Sequence, residues 1–114
     1  MALTRFKLVF FVPAHATRHV LNNLFTKYPT ELGKIGDYEQ CAFMTHGTGQ
    51  FKPGADANPT IGSRGVVEYV EEDRVEIVVN DKGEHTELKN AIQELKKVHP
   101  YEEVAYDVYK LENF

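Results

Sequence analysis

Apolar residues recur along this chain with two periods, and the switching between them lays out the elements. Phe6-Lys7-Leu8-Val9-Phe10-Phe11-Val12 is β-rich and apolar on both faces, which predicts a central strand. Pro13 closes it and suits the first positions of a helix. Over residues 14–28, Val20, Leu21, Leu24, Phe25 and Tyr28 fall on one stripe of an amphipathic helix, which Pro29 and Gly33 end. A strand is expected over about residues 38–46. The chain then changes character. Residues 47–62 are dense in Gly, Pro and Asn and predict a long ordered loop or irregular hairpin extension.

Residues 66–71 and 74–79 predict two strands joined near Glu72-Asp73; in the second, Val75, Ile77 and Val79 alternate with Arg74 and Glu76. After a turn at residues 80–83, Leu88, Ala91, Ile92, Leu95 and Val98 return to the helical period. Pro100 stops that helix, because its ring clashes with the preceding turn and it has no N–H to donate. Residues 103–111 form a last strand, with Val104, Tyr106 and Val108 on one face. The order strand, helix, strand, strand, strand, helix, strand contains two βαβ-like halves. It predicts an α+β fold of the ferredoxin-like, split βαβ kind: an antiparallel sheet with two helices on one face, over a single domain spanning residues 1–114.

Composition adds bounds rather than chemistry. A chain of 114 residues that is 42% hydrophobic and 26% charged can bury one core without metals or disulfides and is not disordered. The net charge of -4 disfavours a nucleic-acid partner, and the one tight basic cluster, Lys96-Lys97 with Lys89, reads as a solvated helix face. A single cysteine, Cys41, excludes an internal disulfide and fits a reducing compartment. Residues 1–16 resemble a secretory signal in their Arg5, Lys7 and Ala14-His15-Ala16 features. Their uninterrupted apolar run covers only residues 8–12, and removing them would delete a core strand. No segment approaches a membrane span. A cytoplasmic location is the expectation.

Several side-chain groups are candidates for chemistry. Gly47-Thr48-Gly49 with Lys52 would form a nest of backbone N–H groups around a small anion, unless the glycines only permit a bend at the sheet edge. The P-loop pattern is absent. His15 and His19 have metal-compatible i, i+4 spacing but lie opposite the apolar stripe, facing solvent without a further ligand. Cys41, His46, His99, Glu102 and Glu103 are the one mixed set suited to a borderline metal. Cys41 itself reads as a small core residue. His99-Pro100-Tyr101-Glu102-Glu103 sits at a helix-to-strand junction; His99 would be a general base or ligand with a glutamate partner, or a histidine closing the helix, and the structural role is favoured. No catalytic constellation stands out, so no cofactor and no complete metal-ligand set is expected.

Taken in order, four motifs resemble one module. They are Gly36-x-Tyr38-x-x-Cys41-x-Phe43, Gly47-x-Gly49-x-Phe51-x-Pro53, Asn58-Pro59-x-Ile61-Gly62, and the run from His99 to Asp107. They are similar to the domain inserted in the middle of bacterial YqfO proteins, the Nif-three-like family of GTP cyclohydrolase I type 2 homologues, over about residues 6–111. Ala42 stands where that family often has Ser. The resemblance implies a fold similar to CutA and the PII signalling proteins, which commonly form trimers. It also implies that the family's dinuclear metal site belongs to flanking halves whose ligands no motif here matches. The resulting expectation is a non-catalytic ligand-binding or regulatory module, a homo-oligomer and possibly a trimer. It would take a small anionic ligand at Gly47, Gly49, Lys52, His99, Tyr101, Glu102 and Glu103. The alternatives are a CutA-like metal-binding protein using His46, His99, Glu102 or Cys41, and an accessory to a cyclohydrolase-type metal hydrolase.

Overall fold

The computed structural model describes residues 3–114, so Met1 and Ala2, the start of the signal-like stretch, lie outside the described residues. Strand β1 (Thr4–Pro13) runs into a single 3-10 turn (Ala14–Ala16) and helix α1 (Thr17–Lys27). Strands β2 (Phe43–Phe51) and β3 (Glu68–Asp81), helix α2 (Thr86–Val98) and strand β4 (Tyr106–Lys110) follow. The sheet order is β2-β3-β1-β4 with every pairing antiparallel, which is the strand order of the split βαβ arrangement.

Three expectations are corrected. The charged pair Glu72-Asp73 does not turn the chain: β3 is one continuous 14-residue strand, so among the described residues the sheet has four strands rather than five. The second strand starts at Phe43 instead of near residue 38, and it continues through Gly47 and Gly49 to Phe51. The last strand starts at Tyr106, leaving residues 101–105 irregular. Both helices stand where the apolar period places them, although residues 14–16 form a 3-10 turn ahead of α1.

Strand alternation divides the sheet into two faces. Phe6, Leu8, Phe10 and Val12 of β1, with Val75, Ile77 and Val79 of β3, point toward the helices. There they pack with Val20, Leu24 and Phe25 of α1 and Leu88, Ala91 and Leu95 of α2. The opposite face is uncovered by helices. Beyond the pair Pro13↔Glu72, β3 has no β1 partner, while β2 pairs with it as far as Phe51↔Glu68. The β2–β3 pair therefore leaves the body as a two-stranded ribbon, giving the molecule its 50 × 25 × 25 Å shape.

Between α1 and β2 the chain is pinned by its backbone rather than by a regular element. Gly33 donates its N–H to Val78 O at 2.9 Å and accepts from Cys41 N–H at 2.8 Å. Its φ is +75°, and a Cβ there would lie 2.5 Å from the Phe25 ring and 3.0 Å from the Cys41 backbone. Gly33→Ala combines a left-handed backbone with overpacking against a buried ring, and is expected to lower stability by about 3 kcal/mol in a denaturant titration.

Candidate functional site

The α2 C-terminus carries the first part of the site. His99 is the helix C-cap, and its N–H reaches back to Leu95 O at 3.0 Å. Its ring is 6% exposed and does not serve the helix carbonyls. Nε2 lies 2.7 Å from Phe11 O on β1, and Nδ1 lies 3.1 Å from the Tyr101 N–H. Those partners define one tautomer: Nε2–H donates to the carbonyl, and the Nδ1 lone pair accepts from the amide. Burial pushes the ring below the ordinary histidine pKa, against the opposing pull of the Phe11 carbonyl and the Glu72 charge. His99 is a neutral bracket between α2, β1 and the segment that follows, the structural role favoured above, with a ring-to-strand bond in place of the helix-dipole contact.

That bracket sets Tyr101 on the open face of the sheet. The phenol lies against His99 on one side, with centroids 5.1 Å apart, and Phe51 on the other, 6.0 Å away. Its hydroxyl donates to Glu72 Oε2 at 3.0 Å. Burial first, and then the Glu72 carboxylate, raises the phenol well above the usual tyrosine value. The Glu72 carboxylate lies over Gly49, which leaves it room by having no side chain; a Cβ at Gly49 would run into it.

The loop after β2 forms the remaining wall. Asn58 N–H donates to Glu102 Oε1 at 2.8 Å, and Thr60 Oγ1 donates to Pro100 O at 3.0 Å. Within the loop, Gly65 N–H bonds Pro53 O at 2.7 Å and Arg64 Nε bonds Ala57 O at 2.6 Å. These contacts border a half-open cavity of about 430 Å³, with apolar walls from Phe11, Phe51, Pro53 and Ile61 and a rim carrying Glu72, Glu102, Glu103 and Lys52.

Of the residues expected at the site, Gly49, Lys52, Tyr101, Glu102 and Glu103 line this one cavity. Gly47 pairs with Glu72 in the β2–β3 ladder away from the wall, and His99 stands behind Tyr101. The anion nest does not form, because Gly47 and Gly49 are extended strand residues outside the left-handed region. With three carboxylates against one lysine, the rim also has the wrong charge for an anion. The mixed metal set is dispersed as well. His46 is held by Glu71 and Asp73, His99 has both nitrogens in use, and Cys41 is only half-buried instead of in the core. Among the described residues no group of three or more His, Cys, Asp or Glu side chains is placed to hold a metal ion. His15 and His19 are exposed, as their position opposite the stripe implies.

Glu72, Phe51 and Phe11 were not foreseen as site residues. The sequence signal for Glu72 was a carboxylate two positions before an alternating strand, which reads as a turn until the ribbon is known. Phe11 gave the signal of a core strand residue, and only the open face reveals it as a wall.

No family model matches the chain. A protein of Halalkalibacterium halodurans named GTP cyclohydrolase 1 type 2 homolog is 42% identical over 108 residues, covering 95% of this chain. Its counterpart in Bacillus subtilis is 48% identical over 80 residues, or 70% of this chain. The crystal structure of a Bacillus cereus protein related to NIF3 superimposes with a TM-score of 0.77 at 35% identity, covering 99% of this chain. The chain is homologous to a segment of the NIF3-related GTP cyclohydrolase 1 type 2 homologs. It spans 27% of the Halalkalibacterium protein and 27% of the Bacillus cereus chain, about a quarter of each.

The fold of this NIF3-related segment is CutA/PII-like. The periplasmic divalent cation tolerance protein CutA from Archaeoglobus fulgidus matches 96% of this chain and 86% of its own length, with a TM-score of 0.58 at 12% identity. GlnK of Bacillus subtilis matches 95% of this chain and 85% of its own length, with a TM-score of 0.51 at 17% identity. Among the described residues no helix is long and apolar enough to cross a membrane.

Proposed function

We propose that this chain is a non-catalytic small-ligand-binding module whose ligand occupies the cavity between Phe51, Tyr101 and the residue 52–62 loop. One observation carries the reading: segments about 50 residues apart in sequence converge on a single half-open cleft of about 430 Å³, the size range of small-molecule sites. Apolar walls with a few polar groups at the rim are the usual make-up of such sites. The carboxylate-rich rim favours a compact organic molecule with an apolar or aromatic body and a protonated amine. The groups able to move protons are committed elsewhere: His99 is neutral and doubly bonded, and the Tyr101 proton is held by Glu72. That supports binding over turnover.

Titration calorimetry with aromatic and aliphatic amines, beside nucleotides and phosphorylated metabolites, tests the reading. Binding of an amine that weakens about ten-fold or more in Tyr101→Ala, which removes an aromatic wall, is the expected result. Heat only from the anionic compounds, or affinity unaffected by Tyr101→Ala, overturns it.

The module is further proposed to act as a homo-oligomer. β2 is an edge strand exposed from Phe43 to Thr48, and Phe43 and Tyr69 are 66% and 64% exposed, with Met44 about half exposed. An uncovered edge with apolar neighbours is a template for another chain. Light scattering on the full chain is expected to give a mass above the monomer, reduced to the monomer by Phe43→Glu. A monomer at tens of micromolar removes this part of the proposal.

A further inference from the structure

At its root the ribbon is tied to the body through a histidine held between two carboxylates. His46 of β2 faces Asp73 of β3 directly across the ladder, one pair before the Pro13↔Glu72 pair at which β1 ends. Its Nδ1 lies 2.9 Å from Asp73 Oδ1 and its Nε2 lies 2.6 Å from Glu71 Oε2. Asp73 is itself anchored: its Oδ2 accepts the Thr17 hydroxyl at 2.7 Å, from the first residue of α1. Thus β2, β3 and α1 meet in a single chain of hydrogen bonds at the root of the ribbon.

Chemistry restricts the protonation state of this arrangement. A neutral imidazole has one N–H, so one of two ionised carboxylates would then face a lone pair; only the imidazolium donates to both. The carboxylates sit at opposite nitrogens of the ring, so one metal ion cannot take all three groups, and the geometry suits a proton. Glu71 and Asp73, both on β3, are the charged groups acting on the ring. Thr48 of β2 and Thr17 of α1 add only hydroxyls, directed at those carboxylates.

We propose that His46, Glu71 and Asp73 form a proton-operated clasp: as imidazolium His46 fastens β2 to the body, and as neutral imidazole it releases one carboxylate and loosens the ribbon. The hydrogen bonds to Asp73 and Glu71 hold the ring above the ordinary histidine value, so release comes at a higher pH than a free histidine would give. Gly49 and Phe51, three and five residues further along β2, form part of the cavity wall, so the clasp controls how firmly that wall is held. Whether or not the cavity takes a ligand, the clasp acts on the strand itself.

Hydrogen exchange of the β2 amides in the full chain, from pH 5.5 to 8.5 and corrected for intrinsic rates, reads the clasp. Its companion is NMR titration of the His46 ring. Protection in β2 is expected to fall about three-fold as pH rises through the His46 titration, the modest size expected of exposed ion pairs. Glu71→Gln supplies an amide N–H that the deprotonated Nε2 accepts, so it should retain protection at high pH and flatten the profile. His46→Phe should lower protection at every pH. The proposal is overturned by a His46 midpoint at or below about 6.5, the ordinary value. It is equally overturned by β2 protection that does not change with pH, or by a Glu71→Gln profile as steep as the parent's.

Discussion

Asp81→Ala is expected to lower the stability of the folded chain by about 3 kcal/mol, among the largest effects of any single substitution here. Asp81 ends β3 and is wholly buried, yet it is charged. Its Oδ1 accepts the N–H groups of Gly83 at 2.7 Å and His85 at 3.0 Å, and its Oδ2 accepts the N–H of Leu88 at 3.0 Å. Burial alone would raise its pKa; the three backbone donors, with Glu87, overcome that and hold the carboxyl below the usual range. Leu88 is the third residue of α2, so Asp81 does from the strand what an N-cap side chain does from the helix. The N-cap here is His85, in the left-handed conformation at φ 65° and without a side-chain bond.

Alanine leaves three donors unpaired at the α2 entrance. Asparagine restores one acceptor oxygen but turns an amide N–H toward donors, and should recover less than half of the loss. Urea unfolding of the two variants checks the ordering, and amide exchange at Leu88 should quicken more than at Leu95. Because the folded pKa is depressed, Asp81's stabilisation is present above about pH 4 and is lost as pH falls through its folded value. Asp81→Asn should lack that acid-side slope.

His99→Ala is expected to cost about 3 kcal/mol as well, by a different route. It removes a buried ring, leaves Phe11 O without its donor and takes the acceptor from Tyr101 N–H. Since that amide fixes the start of the 101–105 segment, the loss extends to the cavity: Tyr101 is no longer held between His99 and Phe51, and ligand affinity should fall with stability. The parent protein should show a matching pH signature. The folded pKa of His99 is lowered, so the unfolded chain takes up the proton first. Its contribution is complete above about pH 6.5 and is lost as pH falls through the folded value. His46 has the opposite sign, its contribution being complete at low pH and fading as pH rises through its raised value. Stability measured from pH 5 to 8.5 in His99→Ala and His46→Phe should separate the two slopes. A His99→Ala protein with the parent's acid slope would show that the ring is not the titrating group.

Much of the fold was legible because burial writes a period into the chain. The stripe from Val20 to Tyr28 and the run from Leu88 to Val98 place α1 and α2, and Phe6 to Val12 places the central strand. The errors cluster at the ribbon. Local pattern reads Glu72-Asp73 as a turn and Gly47-Thr48-Gly49 as a loop, since charge and glycine interrupt a core strand. In a two-stranded ribbon outside the core neither side needs to be apolar, so the usual signal is absent there.

The candidate site shows the same division. His99, Tyr101, Glu102, Glu103, Gly49 and Lys52 could be singled out by type and position. Their assembly depended on partners that are distant in sequence: Glu72 for the Tyr101 hydroxyl, Asn58 for Glu102, and Phe11 O for His99. The sequence by itself determined both helices, the central strand, the two-layer α+β architecture and the kinship with NIF3-related proteins, because hydrophobic period and motif order are local properties of a chain. Only the tertiary structure decided that the glycine tract is a strand rather than an anion nest and that the cavity rim is acidic. It alone placed one histidine as a neutral bracket and another between two carboxylates. Those are properties of charges and hydrogen-bond partners brought together across the sheet, and no linear pattern carries them.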